Sequence, residues 1–201
     1  MSTSTKATLG RPRLFNEEAV LAELTALFWR QGYGRTSMAE IVAASGVHKP
    51  SLYSAFGTKE QLFATVLRRY LAERIAMFAA LIDRAGPGIE GVHRFLEMFE
   101  ADAVSERGRD GCLMVMASNE LRGTLPGYEF STDYRRQMRE QIGALITQAL
   151  PAEQTDTEIA HARTDLLTTY LLGLQVIMRS GADADEIHQY LNAMHLTVDT
   201  W

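Results

Sequence analysis

The sequence predicts an all-α protein of about nine helices, and three observations support that prediction. Apolar residues recur at helical spacing along almost the whole chain, with no sustained alternation of β-branched residues that would indicate a strand. Four of the five prolines fall between the periodic segments, where a residue that breaks helices is tolerated. Several segments also open with Ser or Thr followed three residues later by Glu or Gln, a pattern that caps helix N-termini.

The elements follow one another from the N-terminal end of the chain with short connections. Asn16 caps the first helix and Gly32 ends it, while Ser37-x-x-Glu40 and Thr58-x-x-Gln61 are capping boxes for the second and fourth. Thr155-x-x-Glu158 and Asp183-x-x-Glu186 offer the same signature for the last two helices. The predicted helices cover about residues 17–31, 38–45, 49–56, 59–84, 89–106, 112–122, 128–150, 156–179 and 184–200.

Composition excludes several classes of protein and divides the chain into two parts. With 46% hydrophobic residues among 201, the chain is neither disordered nor collagen-like and can bury a core. The net charge is -5, yet residues 1–60 contain seven cations against five anions, so the acidity lies in the remainder. This asymmetry predicts an N-terminal module that meets a polyanion, over residues 1–58, and an acidic helical module over residues 59–201.

The second and third helices form a helix-turn-helix pattern around Gly46, and the second helix of such a unit can lie in the DNA major groove. Leu52 and Phe56 are four residues apart and are predicted to pack inward. The other face is short and polar, and it carries groups that bind base edges or phosphates. The predicted DNA-binding residues are Arg11, Arg13, Thr36, Ser37, His48, Lys49, Pro50, Ser51, Tyr53, Ser54 and Lys59.

These residues are expected to take different roles at the DNA. Lys49 suits guanine O6 and N7 or a phosphate. Ser51 and Ser54 suit base edges, and Pro50 suits a thymine methyl group. Phosphate oxygens suit Tyr53, and they also suit Thr36, Ser37 and Lys59 near helix N-termini. Arg11 and Arg13 lie in a proline-stiffened basic arm that could enter a minor groove. The alternative is an ordinary corner between two helices whose tyrosine is simply at the surface.

The segment GVHKPSLYSAFGTKEQLF resembles the signature of the tetracycline-repressor-like (TetR/AcrR) family of bacterial transcription regulators. The positions of this chain that match its pattern are Gly46, Val47, Leu52, Tyr53, Phe56, Lys59 and Leu62. Gly32, Thr36, Ile41 and Ala44 also stand where the family has a glycine-aromatic turn and its second helix. The resemblance is specific over about residues 14–63. Ser54, Ala55 and Pro50 depart from the usual residues, so no operator sequence is carried over.

The resemblance implies a homodimeric repressor that binds palindromic double-stranded operator DNA and is released by a small-molecule effector. Each subunit would place one helix in a major groove, with half-sites about one helical turn or a small multiple apart. If Arg11, Arg13, Lys49 and Lys59 of both subunits each neutralised a phosphate, the salt slope would approach about -7. The last two helices are the predicted dimer interface, since residues 166–178 are apolar nearly all round and Gly173 permits close approach. The alternative is that both helices fill the core of one chain.

An effector cavity is expected among the fifth to eighth helices, lined by adaptable apolar side chains with a few polar groups. The same residues equally suit a packed core without a ligand. The candidates are Phe95, Met98, Phe99, Met114, Asn119, Tyr134, Met138, Tyr170, Gln175 and Met178.

Cys112 is the only cysteine and sits at a predicted helix N-terminus, where the helix dipole favours a thiolate. Its Gly-Cys-Leu setting resembles a segment of some family members, including ones that sense electrophiles and oxidants. A redox switch is therefore one interpretation of Cys112. The other, which we favour, is a small buried residue that starts a packed helix.

No catalytic, metal-binding or cofactor-binding motif stands out, so we expect neither an enzyme nor a bound cofactor or metal. No apolar stretch is long enough to span a membrane, and the single cysteine suits a reducing compartment, so we expect a cytoplasmic protein. Two other functions stay open from the residues. One is an all-α enzyme or small-molecule carrier that uses Cys112 or a buried carboxylate, and the other is a protein-protein adaptor.

Overall fold

A computed structural model describes residues 15–106, 108–121, 129–151, 154 and 157–201, without the side chains of Asn119 and Leu121. Over these residues the all-α prediction is confirmed, with nine helices and no strand. The helices are α1 (Glu17–Arg35), α2 (Met38–Ser45), α3 (Lys49–Phe56), α4 (Lys59–Ala85), α5 (Ile89–Ala103), α6 (Leu113–Leu121), α7 (Glu129–Ala149), α8 (Glu158–Arg179) and α9 (Ala184–Val198). None of the helices described is both long and apolar enough to cross a membrane.

The predicted caps explain most of the helix boundaries. The capping boxes of Ser37, Thr58 and Asp183 are all present, with each side chain accepting from the third helical amide. The cap of α8 differs from the prediction. Thr157, directly before the first helical residue, is the cap, and its hydroxyl accepts from the amide of Ala160 at 3.1 Å. Thr155, the predicted cap, lies outside the described residues.

Helix α1 is longer than predicted, because the chain resumes helical geometry after Gly32. Gly32 does interrupt the helix, with φ 80° and ψ 169°, a conformation that residues with a Cβ rarely adopt. One further turn then runs to Arg35. This break directs Tyr33 and Thr36 towards the junction between the N-terminal helices and the rest of the molecule.

Helices α1 to α3 form a small N-terminal unit, and α4 joins it to the larger C-terminal body. Helix α1 packs on α2, α4 and α6, whereas α3 packs on α4. In the body, α4 contacts α5 and α7, α7 contacts α8, and α9 lies on α5 and α8. The predicted inward stripes of α1 and α4 are buried: Val20, Leu24, Leu27, Phe28, Leu62, Val66, Tyr70, Phe78 and Leu81. The domain boundary at residue 58 stays a prediction.

Candidate nucleic-acid interface

Helix α3 presents a short polar face to solvent. Its inner side is fixed by Leu52, which is 1% exposed in the core that also contains Ile41 and Val47. On the outer side, Tyr53 is 42% exposed, and the Lys49 ammonium lies 5.7 Å from the centre of its ring. The structure therefore leaves both side chains accessible to a docked duplex.

The remaining predicted residues of α3 share this surface. His48 is the N-cap residue of α3, but its imidazole makes no hydrogen bond to the helix N-terminus. Pro50 and Ser54 are exposed and Ser51 is half-buried. The described part of the interface thus consists of His48, Lys49, Pro50, Ser51, Tyr53 and Ser54, which we call the α3 face.

Gly46 sets the angle at which α3 leaves α2. It ends α2 with φ 64° and ψ 9°, the left-handed conformation in which a side chain is strained. Its amide donates to the carbonyl of Val42 at 3.0 Å, and the Ser45 hydroxyl accepts from the Val47 amide at 3.2 Å. The turn is therefore fixed by its own backbone contacts.

Thr36 does not take the phosphate-facing position that the sequence predicted. Its side chain is 1% exposed, and its hydroxyl donates to the carbonyl of Gly32 at 2.6 Å while accepting from Gln31 at 3.2 Å. A buried hydroxyl with its single hydrogen already used has none to donate to a phosphate. Thr36 instead stabilises the break in α1.

Ser37 is exposed, but its donors are already engaged in this structure. Its hydroxyl and its amide both donate to the Glu40 carboxylate, each at 2.7 Å. These bonds hold the pKa of Glu40 below its ordinary value, first through the Ser37 amide and then through the hydroxyl. The predicted phosphate contact by Ser37 therefore competes with the capping box of α2.

Lys59 is half-buried and is already engaged by Tyr33. Its ammonium donates to the carbonyl of Tyr33 at 2.7 Å and lies 4.0 Å from the centre of the Tyr33 ring. Burial lowers the pKa of Lys59, although Glu120, Glu60 and Glu40 act in the opposite direction. The predicted phosphate contact by Lys59 therefore competes with this contact, which ties α4 to the end of α1.

A second contact to Tyr33 comes from the C-terminal body, and no sequence pattern indicates it. Glu120 of α6 accepts from the Tyr33 amide at 2.6 Å. Nearby, Arg179 donates to the carbonyl of Arg30 at 3.0 Å, and Trp29 donates to the carbonyl of Asp110 at 3.3 Å. These bonds join residues 81 to 149 positions apart, which no local pattern can indicate. Arg11 and Arg13 lie outside the described residues.

The predicted effector residues form a closed core in this structure. Of the predicted effector residues, Met178 alone lines one of three surface cavities that we compared among the described residues. Met98 and Tyr170 are half-buried, and the side chain of Asn119 is outside the description. The other candidates are at most 2% exposed: Phe95, Phe99, Met114, Tyr134, Met138, Gln175 and Met178.

Cys112 belongs to the same buried region. Its side chain is 2% exposed, and its thiol lies 3.4 Å from the hydroxyl of Tyr134. Burial and the adjacent cysteine raise the pKa of both Tyr134 and Tyr70 well above the ordinary value. Arg74, also largely enclosed here, pairs with Asp102 at 3.2 Å. Among the described residues, no group of three or more His, Cys, Asp and Glu is arranged to hold a metal ion.

Helices α8 and α9 expose a row of apolar side chains. Of the seven large hydrophobic residues that are exposed in the described chain, five lie on these two helices: Ile159, Leu166, Val176, Tyr190 and Leu196. The first three share one side of α8 with Gly173, and no atom lies within 4 Å of the position that a Cβ would take there. We call the exposed surface that contains these five residues and Gly173 the α8–α9 face. Leu166 and Val176 are thus uncovered in a single chain.

Comparisons with known proteins agree with this arrangement. Residues 20–66 match the family described as "Bacterial regulatory proteins, tetR family". The chain is 30% identical over 192 residues to the HTH-type transcriptional repressor ComR of Escherichia coli (strain K12), covering 92% of this chain and 89% of ComR. It is 27% identical over 179 residues to the HTH-type transcriptional repressor BdcR of the same organism, covering 89% and 86%.

Solved structures show the same fold. A cysteine mutant of the TetR family transcriptional regulator CifR, complexed with 26bp double-strand operator DNA, has a TM-score of 0.74 and 28% identity. The match covers 96% of this chain and 100% of that one. A TetR transcriptional regulator from Chloroflexus aurantiacus J-10-FL has a TM-score of 0.77 at 22% identity, covering 90% and 93%. With its helix-turn-helix unit and its helical body, this chain belongs to the TetR family of bacterial transcriptional regulators.

Proposed function

We propose that this protein is a homodimeric transcriptional repressor that acts in the cytoplasm and leaves its operator when a small molecule binds the helical body. The observation that supports DNA binding most strongly is the α3 face, on which Lys49 and Tyr53 are both exposed on a rigid turn. Repression is favoured because the relatives ComR and BdcR are named repressors. Repression also requires only that the protein occupy promoter DNA.

On the DNA, the α3 face would enter the major groove. Lys49 can donate to guanine O6 and N7, Ser54 and Ser51 can reach neighbouring base edges, and Tyr53 and His48 can donate to phosphates. Arg11 and Arg13 would add minor-groove contacts. The buried Thr36 would stabilise the break in α1. Ser37 and Lys59 would keep their hydrogen bonds to Glu40 and Tyr33 instead of binding phosphates.

The homodimer would form through the α8–α9 face. A helix pair whose apolar side faces solvent in one chain is stabilised when a second copy covers it. Gly173, which lies between Leu166 and Val176 on α8, allows two α8 helices to approach closely. A twofold axis through this face would set the two α3 faces on one side of the dimer, as a palindromic operator requires.

An effector would act by binding one arrangement of the body better than the arrangement that fits the operator. Because the candidate residues around Phe95, Met138 and Gln175 are closed together here, entry requires their helices to separate. Helix α6 would carry that movement to the N-terminal unit, because Glu120 of α6 and Asp110, which precedes α6, both accept hydrogen bonds from α1. Nothing in the buried setting of Cys112 favours a separate catalytic role.

A mobility-shift assay with the DNA that flanks the encoding gene tests the proposal. We expect a retarded complex at low salt that survives an excess of unrelated DNA of equal length, and whose affinity falls steeply as salt rises. Equal affinity for flanking and unrelated DNA would contradict a specific operator. Absence of any complex, with a folded dimer, would favour the adaptor or carrier instead.

A further inference from the structure

Two histidines from different helices meet edge to edge between α5 and α9. The Nδ1 atoms of His93 and His195 are 2.7 Å apart, the ring centres are 5.0 Å apart and the ring planes differ by 4°. The distance between the two ring centres equals the Nδ1–Nδ1 distance plus the distance from each ring centre to its own Nδ1 atom. Both nitrogens therefore lie on the line between the centres, and the rings are coplanar rather than stacked face to face.

This geometry requires one hydrogen between the two nitrogens. A bare lone pair on each Nδ1 would repel the other at 2.7 Å, and a hydrogen on each would place two N–H groups head to head. Nε2 of His93 is 3.2 Å from the Asp199 carboxylate, which accepts a hydrogen there. In the neutral pair, His195 thus donates from Nδ1 to Nδ1 of His93.

The pair can take up one proton without losing its hydrogen bond, but it cannot take up two. With one added proton, an imidazolium still donates to a neutral imidazole. With two, all four ring nitrogens carry hydrogens and the two Nδ1–H groups oppose each other. The second proton therefore forces the rings apart, and with them the turns of α5 and α9 that carry them.

The charged groups around the pair oppose part of this effect. Burial is the main cause that lowers the pKa of His195, followed by repulsion from His93, whereas Glu97, Glu100 and Asp199 act in the opposite direction. Glu100 is also held by His188 at 2.9 Å. Cations on the neighbouring elements are engaged elsewhere: Arg74 of α4 with Asp102, Arg94 with the Ala85 carbonyl, and Arg163 of α8 with the Trp201 carbonyl.

We propose that the His93–His195 pair is a proton-sensitive clasp that holds α9 on α5, and that its second protonation weakens the dimer and releases the operator. This inference rests on the proposed dimer, because α9 contributes Tyr190 and Leu196 to the α8–α9 face. The buried side of the same helix, with Leu191 and Met194, packs inward. A loosened α9 therefore disturbs the face that its outer side supplies.

The sign of the effect follows from the direction of the shift. His195 binds a proton less readily in the folded protein than in the unfolded chain, so the unfolded state takes up more protons as pH falls. The stability that the clasp contributes is present above the ordinary histidine pKa and is lost as pH falls from there through the lower pKa of His195 in the folded protein. Acid thus favours the open form of the α5–α9 contact.

The test compares the full-length protein with His195→Asn, whose amide can keep a hydrogen bond but does not titrate, and with His161→Asn as the control, an exposed histidine of α8. Sedimentation would measure the dimer dissociation constant in steps from about pH 7.5 to about pH 4.5, so that the series passes through and below the ordinary histidine range. We expect the constant to rise about tenfold or more over this series in the wild type and in His161→Asn, and less than about threefold in His195→Asn. A constant that does not change in the wild type, or an equal rise in all three proteins, would overturn the proposal.

A second measurement tests the histidine pair independently of the proposed dimer. In an NMR titration, the ring protons of His93 and His195 should report the same two linked steps of proton uptake, because one hydrogen bond joins the two rings. Independent single steps for the two rings would overturn the clasp whatever the oligomeric state. A protein that is monomeric at about pH 7.5 would contradict the proposed dimer, and the titration would then decide on the clasp alone.

Discussion

The carboxylate of Glu120, on α6, accepts a 2.6 Å hydrogen bond from the backbone amide of Tyr33, at the break in α1. The opposite side of the same peptide segment is bound by Lys59 of α4, whose ammonium donates to the Tyr33 carbonyl at 2.7 Å. Tyr33 is thus held from both the C-terminal body and the connecting helix. The orientation of the α3 face relative to the body depends on this joint.

Gly32→Ala should destabilise the protein, because an added Cβ would lie 2.5 Å from the Glu120 carboxylate at a backbone φ of +80°. We expect the free energy of unfolding to fall by about 1–3 kcal/mol in urea denaturation. Gly34→Ala is the matched control, since nothing lies within 4 Å of its Cβ position. The control should leave stability unchanged or raise it by up to about 1 kcal/mol. An equal change in the free energy of unfolding for both variants would contradict the close contact between Gly32 and Glu120.

The salt dependence of operator binding should distinguish Lys49 from Lys59. With Lys59 bound to Tyr33, the predicted DNA-binding cations that remain for phosphates are Arg11, Arg13 and Lys49 of two subunits, which gives a slope of about -5 instead of -7. Lys49→Gln should reduce the magnitude of the slope by about 2, whereas Lys59→Gln should leave the slope unchanged. Binding measured across a salt series checks both. A reduced slope in Lys59→Gln would return Lys59 to the DNA interface.

Charges placed on the α8–α9 face should separate the subunits. Leu166→Asp or Val176→Asp would bury a carboxylate against the partner copy, and we expect the dimer dissociation constant to rise at least about a hundredfold. Val104→Asp is the control, because Val104 is an equally exposed hydrophobic residue at the end of α5. Sedimentation at several concentrations measures the effect. If Val104→Asp dissociated the protein and the other two did not, the interface would lie elsewhere.

Cys112 should react slowly in the folded protein, because its side chain is 2% exposed. As the only cysteine in the sequence, it gives a single signal with a thiol reagent. We expect labelling by a disulfide reagent to be at least about a hundredfold slower in buffer than in denaturant. Labelling at the denatured rate in a protein that remains folded would favour the redox interpretation.

The helices and the α3 face could be predicted from local patterns, because caps and periodicity act within a few residues. Ser37, Thr58 and Asp183 cap their helices as expected, and the positive φ of Gly46 follows from its place after α2. Lys59 could not be placed in this way. Its position after a capping residue suits a phosphate contact, and only the folded chain brings it next to Tyr33.

The same reasoning explains what was missed in the body. The contacts of Glu120 with Tyr33 and of His93 with His195 join helices far apart in sequence, and each residue alone has an ordinary local setting. For α8, the apolar residues predicted burial on more than one side. In a single chain Leu166 and Val176 are exposed, and the proposed dimer is the arrangement that would cover them.

The most direct measurement is the affinity for an operator fragment of the wild type and of Lys49→Ala and Tyr53→Ala, by fluorescence anisotropy at fixed salt. Both changes lie on the exposed side of α3 and should raise Kd at least about tenfold while sedimentation still shows a dimer. Glu90→Ala, an exposed change on α5, should bind as the wild type does. Unchanged affinity in both α3 variants would contradict the account that this helix reads the operator.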